Sequence, residues 1–163
     1  MKLYIKQRVF SRDDSYDVYD EFGNVYFKAG SGVSTMGDKL HLYNLQGQEL
    51  LFIRGRRLVH NCARYEIYKG QQLCAYIQQP SALLFSKLNI HSTYGNYTIE
   101  GNLWSRDYKI YRDGFMVGGV SKKFLSWSDT YEMNTKDSED SAFFSALVIA
   151  IDNCLQYYVR CRN

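Results

Sequence analysis

The chain has 163 residues, of which 45% are hydrophobic, 16% aromatic and 23% charged, with one Pro and a formal net charge of +3. This composition is typical of a globular protein and excludes a disordered chain. The length predicts one domain, residues 1–163, with a sizeable core. The small positive charge permits an acidic partner without requiring one, and we do not expect a nucleic acid ligand.

The chain begins with MKLYIKQRVFSRDD, which lacks the uninterrupted apolar region of a secretory signal. Its longest apolar run, from Ala142 to Ile151, is about half of what a membrane-spanning helix needs. We therefore expect a soluble cytoplasmic protein whose contact with a membrane is limited to the membrane surface.

Four copies of one pattern run along the chain, each alternating apolar and polar residues up to a Tyr that Asp, Asn or Gly soon follow. The copies are YDVYDEFGN (16–24), LHLYNLQGQ (40–48), YEIYKG (65–70) and YKIYRDG (108–114). Because a second apolar segment trails each copy, each one predicts a β-hairpin with Gly at the tight turn. Further strand candidates lie at 2–9, 85–91, 95–99 and 130–133, so about a dozen short strands indicate a barrel or a sandwich.

The alternation within a strand assigns the two faces of these hairpins. The residues predicted to point inward are Tyr16, Val18, Leu40, Leu42, Tyr65, Ile67, Tyr108 and Ile110. Those predicted to point outward are Asp17, His41, Glu66 and Lys109. The tyrosines that end the four patterns are predicted to be half-buried beside the turns: Tyr19, Tyr43, Tyr68 and Tyr111.

The last apolar segment, SAFFSALVIAIDNCLQYYV (141–159), predicts a helix of about 138–158 that is hydrophobic on nearly every face. Such a helix must be enclosed on every face, and in a chain this short the enclosure is the chain's own sheet. Asp137, Ser138, Glu139 and Asp140 provide an N-cap candidate and first-turn acids that suit the helix dipole. Asp152 is the one charge within the pattern; a buried carboxylate needs hydrogen-bond partners, and we expect it to reach a barrel rim.

Motifs for catalysis or cofactor binding are weak. The segment GVSTMGDK (32–39) resembles a phosphate-binding loop, but a strand pattern follows it in place of the required helix. His41, His60 and His91 are isolated from one another, which predicts no metal site. No nucleophile motif occurs either, so we expect neither enzymatic activity nor a cofactor.

Basic residues cluster twice, each time after a predicted hairpin. Arg54, Arg56 and Arg57 follow the second hairpin, and Lys122 and Lys123 follow the fourth. The similar offsets predict that both clusters lie on equivalent rims, as a candidate site for an anionic ligand such as a phospholipid headgroup. The alternative interpretation is solvated loops whose charge serves solubility.

Taken together and in order, these segments resemble the LURP-one-related family. The resemblance is carried by MKLYIKQRVFS, YDVYDEFGN, RYEIYKG, WSRDYKIY, KKFLSWSDTYEM and the apolar terminal helix. It covers nearly the whole chain and implies the fold of the tubby C-terminal domain and the phospholipid scramblases. The implied fold is mainly β, a closed antiparallel barrel of about twelve strands (about 2–134) that encloses a hydrophobic C-terminal helix.

Three functional hypotheses remain open. The first is a non-enzymatic binding or scaffold protein that contacts an anionic ligand or membrane surface through the two basic clusters, since tubby domains bind phosphoinositide headgroups and scramblases act at membranes. The second is a protein-interaction module without a small ligand, because exposed Tyr favours such contacts. The third is an enzyme whose site is assembled without a sequence motif.

Overall fold

The computed structural model describes residues 1–8, 15–31, 39–57, 63–78, 86–123, 130–136 and 140–162, with side chains at all of these positions except 57, 63, 123, 158 and 160–162. Within these ranges the chain forms twelve strands followed by one helix. The strands are β1 (Lys2–Gln7), β2 (Ser15–Asp20), β3 (Val25–Gly30), β4 (Lys39–Tyr43), β5 (Glu49–Arg57), β6 (Ala63–Lys69), β7 (Gln72–Gln78), β8 (Lys87–Ser92), β9 (Tyr97–Asn102), β10 (Asp107–Arg112), β11 (Phe115–Lys123) and β12 (Thr130–Thr135), and the helix is α1 (Ser141–Arg162).

The strands form a closed antiparallel barrel in which each strand pairs with its neighbours in sequence, so the predicted barrel of about twelve strands is confirmed. β1 and β12 close it, with Leu3 opposite Met133. Odd-numbered strands therefore run in one direction and even-numbered strands run back. The turns from β2 to β3, β4 to β5, β6 to β7, β8 to β9 and β10 to β11 lie at one end, which we call the hairpin end, and the odd-numbered strands finish at the far end.

All four predicted hairpins form, and each has a register shift at the same place in the repeated pattern. The shift falls immediately before the last tyrosine, at Val18/Tyr19, Leu42/Tyr43, Ile67/Tyr68 and Ile110/Tyr111. The turn glycines have positive φ angles of 58° to 85°, which L residues with side chains rarely adopt: Gly23, Gly47, Gly70 and Gly114. A bulge bends a strand and increases its twist, so the repeated pattern curves the sheet at four points around the barrel.

α1 lies inside the barrel, as predicted, and every residue from 144 to 151 is at most 2% exposed. Two turns that are buried on all sides establish enclosure on every face. The residues that the hairpin alternation predicts to point inward are all buried against this core.

The helix bounds differ from the predicted 138–158. The first helical hydrogen bond runs from the Phe144 N–H to the Asp140 carbonyl, at 2.9 Å, and residues 137–139 lie outside the described part. The apolar pattern predicts an end near residue 158, but the helix continues past the core to Arg162, with Val159 exposed. In the described ranges, no helix has the length and apolar character needed to cross a bilayer.

Two acids that are predicted to point outward lie on the outer wall but are buried there. Asp17 is 6% exposed and Glu66 is 4% exposed. Arginine side chains cover them; the Arg8 guanidinium donates two hydrogen bonds of 2.6 Å to the Asp17 carboxylate. The tyrosines that end the four patterns are half-buried, as predicted: Tyr19, Tyr43, Tyr68 and Tyr111.

Candidate functional site

The two predicted basic clusters lie toward the same end of the barrel but on opposite sides of it. Arg54, Arg56 and Arg57 lie in the second half of β5, and Lys122 and Lys123 end β11. Both strands run toward the far end, but six strand positions separate them in the ring of twelve. The two clusters therefore do not form one patch.

Lys122 is half-buried and lies opposite the buried Tyr131. It shares the inward-facing alternation of Val120, which is 3% exposed, so Lys122 belongs to the inner side of the wall at the far end. The side chains of Arg57 and Lys123 lie outside the described part of the structure. The predicted site is thus reduced to Arg54 and Arg56 on the outer wall.

On that wall, three guanidinium groups converge on the carboxylate of Glu66. Arg54 Nη2 lies 2.8 Å and Arg56 Nε 3.0 Å from Glu66 Oε2, and Arg64 Nε lies 3.2 Å from Glu66 Oε1. The pairing of β5 with β6 explains this, because Arg54 lies opposite Glu66 and Arg56 lies opposite Arg64. We call Arg54, Arg56, Arg64 and Glu66 the arginine patch.

The environment of Glu66 keeps its carboxylate ionised. Burial alone raises the pKa of Glu66, but hydrogen bonds from Tyr68 and Arg54 and the charges of Arg56 and Arg54 outweigh burial, so the pKa is lowered. The Tyr68 hydroxyl donates to Glu66 Oε2 at 2.7 Å and itself accepts from Arg54. An ionised Glu66 therefore fixes the three guanidiniums at neutral pH.

The first hairpin provides an internal comparison at the equivalent position. There, Asp17 accepts hydrogen bonds from Arg8 and Tyr19, so one arginine balances one carboxylate. In the arginine patch three arginines face one glutamate, which leaves a formal excess of two positive charges. The Asp17 cluster shows that one arginine is enough to balance a buried carboxylate, so the two additional positive charges are not needed to bury Glu66.

The patch also has unused hydrogen-bond donors. Three guanidiniums carry roughly fifteen N–H donors, whereas one carboxylate offers about four acceptor positions. The side chains of Arg54, Arg56 and Arg64 are 30%, 52% and 29% exposed, compared with 5% for Glu66. Arg64 Nε is at ion-pair distance from Glu66 but is not aligned for a hydrogen bond. The patch can therefore donate to an anion from solvent.

Aromatic rings border the patch, and other side chains already pack against them. The Arg64 guanidinium lies 3.8 Å from the ring centroid of Tyr76, and His91 stacks on Tyr76 from the next strand at 4.6 Å. Arg54 lies 5.0 Å from the ring centroid of Tyr68. A nucleic acid base stacks on an open ring face, so a base would have to compete with these contacts. The geometry favours recognition of an anion over stacking of a base.

Arg64 is not among the predicted site residues. A signal was present, since Arg64 lies two residues before Glu66 and the alternation of β6 puts both on the outer face. Its position opposite Arg56 depends on the register of β5 with β6, and a shift by one residue would move it to the inner face.

The carboxylate of Asp152 is buried near the far end and is fully hydrogen-bonded. Oδ1 accepts from Arg106 Nη2 at 2.7 Å and from the Tyr131 hydroxyl at 3.1 Å. Oδ2 accepts from Gln156 at 2.7 Å and from the Tyr16 hydroxyl at 3.0 Å. Arg106 belongs to the turn between β9 and β10, so Asp152 does connect the helix to the barrel rim. Because its acceptor positions are filled, we assign it a structural role.

The LURP-one-related family model matches residues 1–152 of the chain. The chain belongs to this family. It is 31% identical over 157 residues to the uncharacterised Bacillus subtilis protein YxjI, with 95% of this chain and 94% of YxjI covered. The fold is similar to the X-ray structure of an Arabidopsis thaliana protein, with a TM-score of 0.68 and 18% identity over 93% of this chain and 90% of that one.

In this LURP-one-related chain a separate concavity of about 220 Å³ lies at the hairpin end, beside the start of α1. It is lined by Leu50, Leu51, Lys69, Tyr94, Asp140, Ala142 and Phe143. It lies away from the arginine patch, which occupies the outer wall. Across the described ranges, no group of three His, Cys, Asp or Glu residues is arranged to hold a metal ion.

Proposed function

We propose that the chain is a non-enzymatic binding protein that holds an anionic ligand at the arginine patch. The observation that supports this most directly is the convergence of three partly exposed arginines on one buried glutamate. Guanidinium groups bind phosphate and carboxylate oxygens through paired hydrogen bonds, and an internal carboxylate orients them before the ligand arrives.

The ligand chemistry that fits best is a phosphate group, supplied by a phospholipid headgroup or by a free phosphate compound. The excess of two charges matches a phosphate better than a single carboxylate. We assign binding to the wall of β5 and β6, with Lys122 contributing nothing because it lies on the inner side of β11.

A non-enzymatic role is supported by the state of a described thiol. Burial raises the pKa of Cys154 to about 12, so this group is not a thiolate nucleophile at neutral pH. An ionised Glu66 that three arginines hold is likewise poorly suited to accept a proton.

Sedimentation with vesicles tests the proposal and separates the two phosphate sources. Vesicles of phosphatidylcholine alone are compared with vesicles that also contain phosphatidylglycerol, at low and high salt, and inorganic pyrophosphate is titrated separately by calorimetry. The double variant R56Q/R64Q is expected to bind at least about tenfold more weakly, since hydrogen bonds to charged groups contribute about 1.5–3 kcal/mol each.

The matched control is R8Q, which removes one arginine from the equivalent Asp17 cluster of the first hairpin. It is expected to bind as the wild type does. Loss of binding that is equal in R8Q and R56Q/R64Q would show a general effect of net charge and would overturn the assignment. So would the absence of binding to both vesicles and pyrophosphate at low salt.

A second candidate function is a protein contact at the hairpin end. Apolar side chains in or directly after three turns there are mostly exposed: Phe22 at 83%, Phe115 at 76% and Leu45 at 59%. Exposed apolar groups at one end of a molecule favour a docking surface. If the wild-type protein self-associates and F22S/F115S stays monomeric in light scattering at the same concentrations, a second copy is the partner.

A further inference from the structure

The concavity at the hairpin end is apolar at its base and polar at its rim. Leu51 and Phe143 are buried core residues, and Leu50 and Ala142 are half-buried against the same core. Lys69, Tyr94 and Asp140 complete the lining. Small-molecule sites have this composition, an apolar body with a few convergent polar groups.

Of the two charged side chains at the rim, Asp140 is paired within the described part of the protein and Lys69 is not. Asp140 forms an ion pair with Arg112, with 3.0 Å between Oδ2 and Nη1. The Lys69 ammonium has no ion-pair or hydrogen-bond partner among the described residues, although it lines the concavity. The unpaired charge at the rim is therefore positive.

The Tyr94 hydroxyl is a second available donor. It donates to Cys74 Sγ at 3.3 Å, and a thiol is a weak acceptor that an oxygen can replace. Its hydrogen bond with Cys74, together with burial, raises the pKa of Tyr94 to about 12, so the hydroxyl keeps its proton at neutral pH. Lys69 and Tyr94 both line the concavity, and the Tyr94 hydroxyl can donate to a ligand there by giving up its weak hydrogen bond to Cys74.

We propose that this concavity binds a small carboxylic acid with an apolar body. The carboxylate accepts from Lys69 Nζ and the Tyr94 hydroxyl, and the apolar body packs on Leu51 and Phe143. The size limits the ligand, because about 220 Å³ lies below the usual range for drug-sized ligands. A single-ring or short-chain acid fits, and a long-chain fatty acid does not.

This proposal does not depend on the arginine patch. The two sites use different residues, and the patch lies on the outer wall whereas the concavity opens at the hairpin end. A phosphate ligand at the patch and a carboxylic acid at the concavity can each be present or absent without the other.

Calorimetric titration with phenylacetate tests the proposal, and phenethylamine, of similar shape and opposite charge, is the control probe. Phenylacetate is expected to bind the wild type and to bind K69Q at least tenfold more weakly, with K69R restoring most of the affinity. K109Q, at an exposed lysine on the outer wall of β10, and R56Q/R64Q are expected to bind like the wild type. Shifts in ¹H–¹⁵N spectra are expected at residues 69, 94 and 142.

Equal binding of phenylacetate by the wild type and K69Q would overturn the proposal, as would tighter binding of phenethylamine, which would point to Asp140 as the recognising group. Failure of the wild type to bind phenylacetate, benzoate and hexanoate would also overturn it. Loss of phenylacetate binding in R56Q/R64Q but not in K69Q would assign the acid to the arginine patch.

Discussion

The guanidinium of Arg106 meets the carboxylate of Asp152 across 46 positions of sequence, with 2.7 Å between Nη2 and Oδ1. Arg106 has a φ of 53° in the turn that joins β9 to β10, and Asp152 is 3% exposed on α1. The pair fastens the enclosed helix to the rim of its barrel. The helix is thus held by a directed interaction as well as by apolar packing.

Replacing Arg106 with Gln is expected to lower the free energy of unfolding by about 2–3 kcal/mol. The change leaves the buried carboxylate of Asp152 without its cation, but Tyr16, Tyr131 and Gln156 still donate hydrogen bonds to it. The loss of stability is therefore expected near the lower end of the range for breaking a buried ion pair. Urea denaturation measures it. K87Q, which breaks the exposed pair of Lys87 with Glu100, is the control and should change stability by less than about 1 kcal/mol. If R106Q and K87Q lowered the free energy of unfolding equally, the contact of Arg106 with Asp152 would not stabilise the fold.

Replacing Leu147 or Ile151 with Asp is expected to prevent folding. Both side chains are at most 2% exposed inside the barrel, so an Asp at either position would be a buried, unpaired charge. Burying such a charge costs at least several kcal/mol, which is a large part of a total stability of about 5–15 kcal/mol. The matched control on the same helix is V159D, at a position that is 47% exposed. Circular dichroism and thermal melts should show a cooperative transition for V159D and none for L147D. A folded L147D protein would contradict the enclosed helix.

Local sequence patterns predict most of the fold. The alternation in the four hairpins placed Tyr16, Tyr65 and Tyr108 inward, and each is at most 3% exposed. The apolar run of α1 required enclosure on every face, and the barrel provides it. These features could be predicted because strand alternation, turn glycine and helix burial are each read from a few adjacent residues.

The candidate site depends on register and on long-range contacts, which adjacent residues do not determine. Arg56 meets Arg64 only because β5 and β6 pair in one register. The offset of Lys122 after a hairpin predicts a rim position like that of the arginines, but the alternation of β11 turns it to the inner side. The contact of Arg106 with Asp152 requires the closed barrel to exist first.

The arginine patch is expected to make stability depend on acid pH. The pKa of Glu66 is lowered in the folded protein, so its contribution is fully present above the pKa of an unfolded Glu, about 4.3, and is lost as pH falls through the lower folded value. E66Q should therefore be less stable than the wild type at pH 7, and the difference should shrink below about pH 4. Urea denaturation at several pH values checks this, and a difference that stays constant with pH would contradict it.

Gly101 lies in β9 opposite Tyr108, beside the turn that carries Arg106. Its φ is 138°, and a Cβ there would lie 2.5 Å from the Asp107 carbonyl oxygen and 2.7 Å from Tyr108 Cα. Both neighbours are backbone atoms that cannot move aside without shifting β10 and the Arg106 turn. G101A is therefore expected to cost about 2 kcal/mol or more. A Cβ added at Gly30 would meet no atom of the described residues within 4 Å, so G30A should stay within about 0.5 kcal/mol of the wild type in the same thermal and urea measurements. If G101A were as stable as G30A, the result would contradict the close approach of β9 to β10 at this point. It would also contradict the rigid placement of Arg106 against Asp152.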